Sequence, residues 1–261
     1  MEEVKITQIS DHVYASSMEE THDRPHLYLI VSAGESLMID AGNSPAHARA
    51  FLSLADEMHL PMPKLLCLTH WHWDHSFGGA AIACNEAAGE KTIAVLKEIS
   101  TYSYSDEAIH DRVLKGTEND FVEGCMKLEY TPEQRESMNI RIPDEVLHDK
   151  QNIPVGRILV EVHQVASDHS DENLTFLVRE DSLLITGDLL YEDFYHGNAH
   201  YTTKGVRALQ EGLREIPAEW FACSHNKNLI TRDEVREFCR CLLNEKRLVL
   251  GEMNRYEPVC E

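Results

Sequence analysis

Three imidazoles and a carboxylate fall within six residues of this chain, His70-Trp71-His72-Trp73-Asp74-His75, directly after the apolar run Leu65-Leu66-Cys67-Leu68. A short apolar run between polar segments reads as a buried strand. The fold must therefore deliver a polar cluster out of its own core at a strand end. If the chain stays extended there, positions 70, 72 and 74 share one side, and Trp71 and Trp73 face the other as packing residues. Asp74 and His75 then turn toward a helix start at Gly78-Gly79-Ala80-Ala81. Nitrogen and carboxylate donors converging in this way suit zinc or a neighbouring first-row divalent metal. A solvated, histidine-rich turn is the plainer reading, but four donor side chains at this spacing favour a metal.

With 43% hydrophobic and 26% charged residues over 261 positions, the chain has ample material for a core. Its charge is unusual: 24 basic against 45 acidic residues leave it at −21. Two divalent ions would return about four charges and leave it strongly acidic. A nucleic-acid partner needs a basic stripe, and an anionic membrane surface needs a basic patch. Neither is visible, so both partners are disfavoured and a small-molecule substrate is expected. No apolar stretch is long enough to span a bilayer, and the opening Met-Glu-Glu-Val-Lys lacks a basic segment followed by an apolar one. The odd number of cysteines, seven, with no Cys-x-x-Cys pair, fits reduced thiols and a cytoplasmic location.

Strands are expected at 4–14, 26–32 and 37–40, then a helix from Pro45 to Met58 capped by Ser44. A strand at 64–69 delivers the histidines, a helix follows to about Gly89, and Thr92-Ile93-Ala94-Val95 reads as a further strand. The polar stretch 97–140 reads as a helical insertion within one domain spanning 1–261, and as a candidate lid. Strand patterns resume at 145–147, 157–166, 173–179 and 182–187. A helix at 202–215, a strand at 220–223 and a helix at 231–247 complete the chain. Thr231 and Glu234 form a capping pair for the last helix.

Each half of the chain contains a strand ending in aspartate and, later, a strand ending in histidine: Asp40 then His70, Asp188 then His225. His169 lies in a polar loop between strand patterns. Singly these are weak signals. In this order, Asp40, the His-x-His-x-Asp-His run, His169, Asp188 and His225 resemble the metallo-β-lactamase superfamily over about residues 26–245. The resemblance implies an α/β fold, a four-layer αββα sandwich with a binuclear site at one edge of its sheets. Carried over residue by residue, His70, His72 and His169 would hold one metal, and Asp74, His75 and His225 the other. Asp188 would bridge them, and Asp40 would orient a ligand from behind. Around His169 the family often has Gly-His-Ser/Thr-Pro-Gly, where this chain reads Asp168-His169-Ser170-Asp171-Glu172, a departure in loop shape.

Such a site leaves coordination positions for water, whose deprotonation between two cations gives a hydroxide nucleophile. The resemblance implies a metal-dependent hydrolase of a lactone, ester, thioester or amide, with two ions, zinc foremost and manganese or iron as alternatives. True β-lactamases generally lack a residue matching Asp188. Flavin-linked members replace His72 by glutamate, nucleases act on polyanions, and glyoxalase-type members carry a basic tail absent here. Asp74 and Tyr191 are the candidate catalytic residues; Tyr191 stands three residues after Asp188, where similar lactonases carry a tyrosine. Tyr195, His196, His200 and Tyr201 crowd the following loop and could line the pocket. A non-catalytic metal-binding or regulatory protein of this fold is an alternative, as is a mononuclear iron dioxygenase. A homodimer is the commonest assembly for a soluble chain of this kind.

Overall fold

The computed structural model describes residues 4–196 and 198–244. Alternation builds its first sheet. In β3 (Tyr28–Ser32), β4 (Glu35–Ile39) and β5 (Leu65–Cys67), Tyr28, Ile30, Leu37, Ile39 and Cys67 face one core. Leu29, Met38 and Leu66 face another. A strand buried on both faces must lie between two layers. β1 (Ile6–Gln8) and β2 (Val13–Ser16) continue the sheet antiparallel on one side. β6 (Asn85–Ala88) and β7 (Glu145–Val146) continue it parallel on the other, giving the order β1-β2-β3-β4-β5-β6-β7.

The second sheet runs β13-β12-β11-β10-β9-β8. Its strands are β8 (Asn152–Val155), β9 (Ile158–Gln164), β10 (Leu174–Val178), β11 (Leu183–Gly187), β12 (Trp220–Cys223) and β13 (Ile230–Thr231). Val160, Val162, Phe176, Ile185 and Ala222 meet the first sheet across a central core. Leu177, Leu184 and Phe221 face outward onto α7 (Thr203–Arg214) and α8 (Arg232–Leu243). On the far side, Ala48, Phe51 and Ala55 of α1 (Pro45–Glu57) pack on the first sheet. The expected αββα sandwich is therefore present.

Both anticipated caps form: Ser44 accepts from His47 N, and Thr231 and Glu234 make a reciprocal capping box. The stretch 97–140 is helical, holding the end of α3 (Glu90–Ile99), then α4 (Asp106–Leu114), α5 (Asp120–Glu129) and α6 (Pro132–Glu136). It is tied down: Ile109, Val122, Cys125, Met126 and Tyr130 join the same buried cluster as Phe51 and Leu66. Arg24 also forms a two-pronged, buried ion pair with Glu129 of α5, at 3.0 and 2.8 Å.

Three local expectations need correction, and one strand carried no expectation. Thr92–Val95 lies in α3, because burial at Thr92, Ile93, Leu96 and Ile99 follows the helical period and overrides the β-branched composition. The strand is instead Asn85-Glu86-Ala87-Ala88, with no β-branched residue, held by parallel neighbours on both sides. The helix expected up to Gly89 is only the turn α2 (Trp73–Ser76) and a 3-10 turn at Gly79–Ala81. Residues 4–14 form two strands, folded back where Asp181 accepts from His12 N at 2.9 Å. β8 was hidden by Pro154, which a sheet tolerates at an edge, and β8 is an edge. The last helix ends at Leu243, and the remainder of its expected range from 245 lies outside the described residues. Among the described residues no helix is long and apolar enough to cross a membrane.

Glu86 on β6 is fully buried, with both carboxylate oxygens lacking a hydrogen bond among the described residues and Arg141 Nε 3.2 Å away. Burial outweighs the Arg141 charge and raises its pKa from 4.5 to about 8. The folded chain thus keeps a proton that the unfolded chain releases above pH 4.5. Stability should fall as pH rises through that window, by up to about 1.4 kcal/mol per pH unit. Urea unfolding of Glu86→Gln should show a gain over the parent near pH 8 and none near pH 4. Parallel pH profiles for the two proteins would contradict the assignment.

Candidate metal centre

The parallel pairs β4–β5 and β11–β12 aim their C-terminal ends at one edge of the sandwich. Asp40 follows β4, Thr69 and His70 follow β5, Asp188 follows β11 and His225 follows β12; His169 comes from the β9–β10 connection. The two sheets approach closely here. Gly187 has φ +56°, and a Cβ on it would lie 2.6 Å from Thr69 Oγ1, so only glycine fits.

Extended backbone ends at His72 (φ −53°, ψ 148°), and the chain winds into α2 at Trp73. The alternation expected through position 74 therefore stops two residues earlier, and a helical turn carries Asp74 and His75 to the site. Trp73 goes into the core, as expected of a packing residue, though it also reaches the cavity described below. Trp71 packs on His72 and Tyr195, with ring centroids 4.6 and 5.1 Å apart.

Seven donor side chains gather in two groups, each able to hold a metal ion. His70, His72 and His169 form one; Asp74, His75, Asp188 and His225 form the other, with donor atoms in each group within 4.8 Å of one another. Asp188 lies between them: its Oδ2 is 3.3 Å from His75 Nε2, 3.4 Å from His225 Nε2 and 3.6 Å from His169 Nε2. His75 Nε2 and His225 Nε2 each lie 3.0 Å from Asp74 Oδ2, and His70 and His169 meet Nε2 to Nε2 at 3.2 Å.

What holds the rings is behind them. His75 Nδ1 is 2.8 Å from Asp40 Oδ2, His70 Nδ1 is 2.9 Å from Thr69 Oγ1, and His169 Nδ1 donates to Glu192 O at 3.0 Å. Asp40, in the left-handed region at φ +61°, also accepts from Thr69 N at 2.8 Å and from its hydroxyl. Partners on Nδ1 turn Nε2 inward and fix the tautomer that donates a lone pair there.

Burial, reinforced by neighbouring imidazoles, drives the pKa of His70 and His72 well below the ordinary value. Burial also lowers that of His169, against the pull of Asp188. Neutral imidazoles are the form a cation needs. At His75 and His225 burial opposes charge, but Asp188 and the neighbouring carboxylates outweigh it and raise both pKa values. Metal binding would replace those protons. His72 Nε2 and Asp188 Oδ1 are buried with no hydrogen-bond partner among the described residues, so the donor set fits cations better than it satisfies itself.

A family model described as the metallo-beta-lactamase superfamily matches residues 23–225. The chain belongs to the metallo-beta-lactamase superfamily. Solved structures agree on the fold. A metallo-beta-lactamase from Pontibacter korlensis is 17% identical with a TM-score of 0.64, covering 94% of this chain and 100% of that one. One from Erythrobacter litoralis is 13% identical with a TM-score of 0.64, covering 94% and 98%. FIM-1 from Pseudomonas aeruginosa, in its mono-zinc form, is 13% identical with a TM-score of 0.60, covering 93% and 95%. At such identities the likeness concerns architecture. No curated protein gives a significant match.

In this superfamily member the donor groups floor a cavity of about 610 Å³. Tyr191 lines it, buried, with its hydroxyl lacking a hydrogen-bond partner among the described residues and its ring 6.3 Å from His169 and 5.9 Å from His225. Of the loop residues expected nearby, Tyr195 lines the cavity. His196 is 82% exposed on Asp193, His200 Nδ1 meets Asn198 O at 2.9 Å, and Tyr201 donates to Leu190 O at 2.9 Å. Two wall segments carry no sequence signal of their role. Asp23, at φ +54°, puts Oδ1 3.8 Å from His225 Nδ1, and the first turn of α5 also lines the cavity.

Proposed function

We propose that this chain is a binuclear metal-dependent hydrolase of a small carbonyl compound: a lactone, ester, thioester or amide. The observation that carries the reading is Asp188 Oδ2 within 3.6 Å of imidazoles from both donor groups. His70, His72 and His169 would hold one ion, Asp74, His75 and His225 the other, and Asp188 both. When bound, such ions supply Lewis acidity toward a carbonyl and acidify water. Zinc heads the expectation from the imidazole-rich donor set, and the mono-zinc form of FIM-1 is consistent with it.

The chain's own groups do the positioning. Asp40 locks His75 and, through Thr69, His70, so the donor atoms are in place before substrate arrives. Tyr191 remains a hydroxyl, because burial and then Asp188 push its pKa well above the ordinary phenol value. It would donate a hydrogen bond to the substrate oxygen or to the departing group. In the overall reaction water's oxygen joins the acyl carbon, the bond to the leaving group breaks, and that group departs with a proton.

Chromogenic esters, lactones and thioesters, assayed with and without chelator, test this reading. Chelator-sensitive turnover of at least one class supports it; metal-loaded protein inert toward every class sinks it. Tyr191→Phe should lower kcat by roughly 10- to 100-fold with metal content unchanged. An unaltered kcat would reduce Tyr191 to packing.

A further inference from the structure

Besides the donor groups, the cavity has a mouth of distinct chemistry. Asp120, the first residue of α5 after its cap Asn119, contributes an exposed carboxylate, while Asp23 lies deeper against His225, where burial raises its pKa to about 7. Phe121, Phe194 and Tyr195 supply aromatic surface to the same cavity, and no lysine or arginine lines it among the described residues. Phe121 is 59% and Phe194 39% exposed, apolar surface left open at a cavity that also receives the buried Tyr191 hydroxyl, which has no hydrogen-bond partner among the described residues. Asp23 is anchored through its neighbour Arg24, which pairs with Glu129 at the other end of the helix that Asp120 begins.

The cavity is therefore polarised along its depth. Two dications outweigh Asp74, Asp188 and the Asp40 behind His75, and leave the floor positive. The mouth carries the Asp120 carboxylate and aromatic faces, a combination that attracts cations and ammonium groups. An anionic substituent would meet that carboxylate and no basic side chain, in a chain of net charge −21.

We propose that the substrate is an acyl compound bearing a protonated amine or quaternary ammonium away from its reacting carbonyl, its head held by Asp120, Phe121, Phe194 and Tyr195. This deepens the hydrolase reading and rests on it. The test uses zinc-loaded full-length protein and three 4-nitrophenyl esters of equal chain length, ending in trimethylammonium, tert-butyl or carboxylate. At constant ionic strength kcat/KM should favour the cationic over the tert-butyl ester by about tenfold. The anionic ester should be poorest. Asp120→Asn should shrink the cationic-to-anionic ratio by roughly fivefold or more, and Asp120→Lys should reverse the order. The ratio within one preparation is insensitive to how much of a variant is folded.

Benzyltrimethylammonium, titrated calorimetrically into the same preparations, gives a readout without turnover; it should bind the parent about tenfold more tightly than Asp120→Lys. Binding of that strength with no ester hydrolysed would sustain the cation-binding mouth and remove the hydrolase. Equal rates for the three esters, a preference for the anionic one, or benzyltrimethylammonium binding indifferent to Asp120→Lys would overturn the mouth, whatever the activity.

Discussion

Asp188→Ala should lower kcat/KM on any substrate by at least about 10³-fold, on the order of 4 kcal/mol of transition-state stabilisation. The reason is position. Asp188 Oδ2 reaches His75 and His225 of one donor group and His169 of the other. Removing it leaves two imidazole clusters with one carboxylate, Asp74, where there were two. Charge balance and the spacing between the ions should both suffer. Asp188→Asn retains the shape without the charge and should lose nearly as much. Steady-state kinetics, metal content and circular dichroism of the variants decide the matter. Full metal content with near-parental kcat/KM would show that Asp188 is a strand-end aspartate and no bridge.

Stripping metal should cost the fold itself. Burying five imidazoles and two carboxylates is unfavourable unless they bind something, and among the described residues three of them, His72, His75 and Asp188, keep a buried atom without a hydrogen-bond partner. An ion present at about 1,000 times its Kd adds about 4 kcal/mol of stability. For a chain of this size that corresponds to roughly 8–16 °C in Tm. Differential scanning calorimetry before and after chelation should show a drop of that order, restored by adding zinc. In His169→Ala the chelator effect should shrink, since one group has lost a donor. A Tm unmoved by chelation in the parent protein would mean the cluster is satisfied without cations.

The parts of this molecule legible in its sequence were those dictated by local chemistry. Ser44 before Pro45 and Thr231 before Glu234 cap helices because short hydroxyl side chains satisfy free amide groups, wherever the helix packs. The His70–His75 run was legible because so many donors in one turn have few other uses. Asp40, Asp188 and His225 gained meaning from their order at strand ends, and the structure brings all three to one edge.

What escaped reading was decided by tertiary context. Ala87 and Ala88 form a strand because β5 and β7 flank them, while β-branched Thr92, Ile93 and Val95 sit in a helix that buries every third or fourth residue. Asp23 and Asp120 lie nearly a hundred positions apart, in polar stretches where neither stands out, and meet the same cavity only after folding. The insertion was readable as helical, but nothing local revealed that Glu129 would take Arg24 as a partner.

The most direct test of the metal proposal is anomalous X-ray scattering from crystals of the metal-loaded protein, collected on both sides of the metal's absorption edge. The expected map has two strong peaks per chain, one among His70, His72 and His169 and one among Asp74, His75 and His225, with Asp188 touching both. A single peak, a peak elsewhere, or none at full metal loading would contradict a binuclear centre.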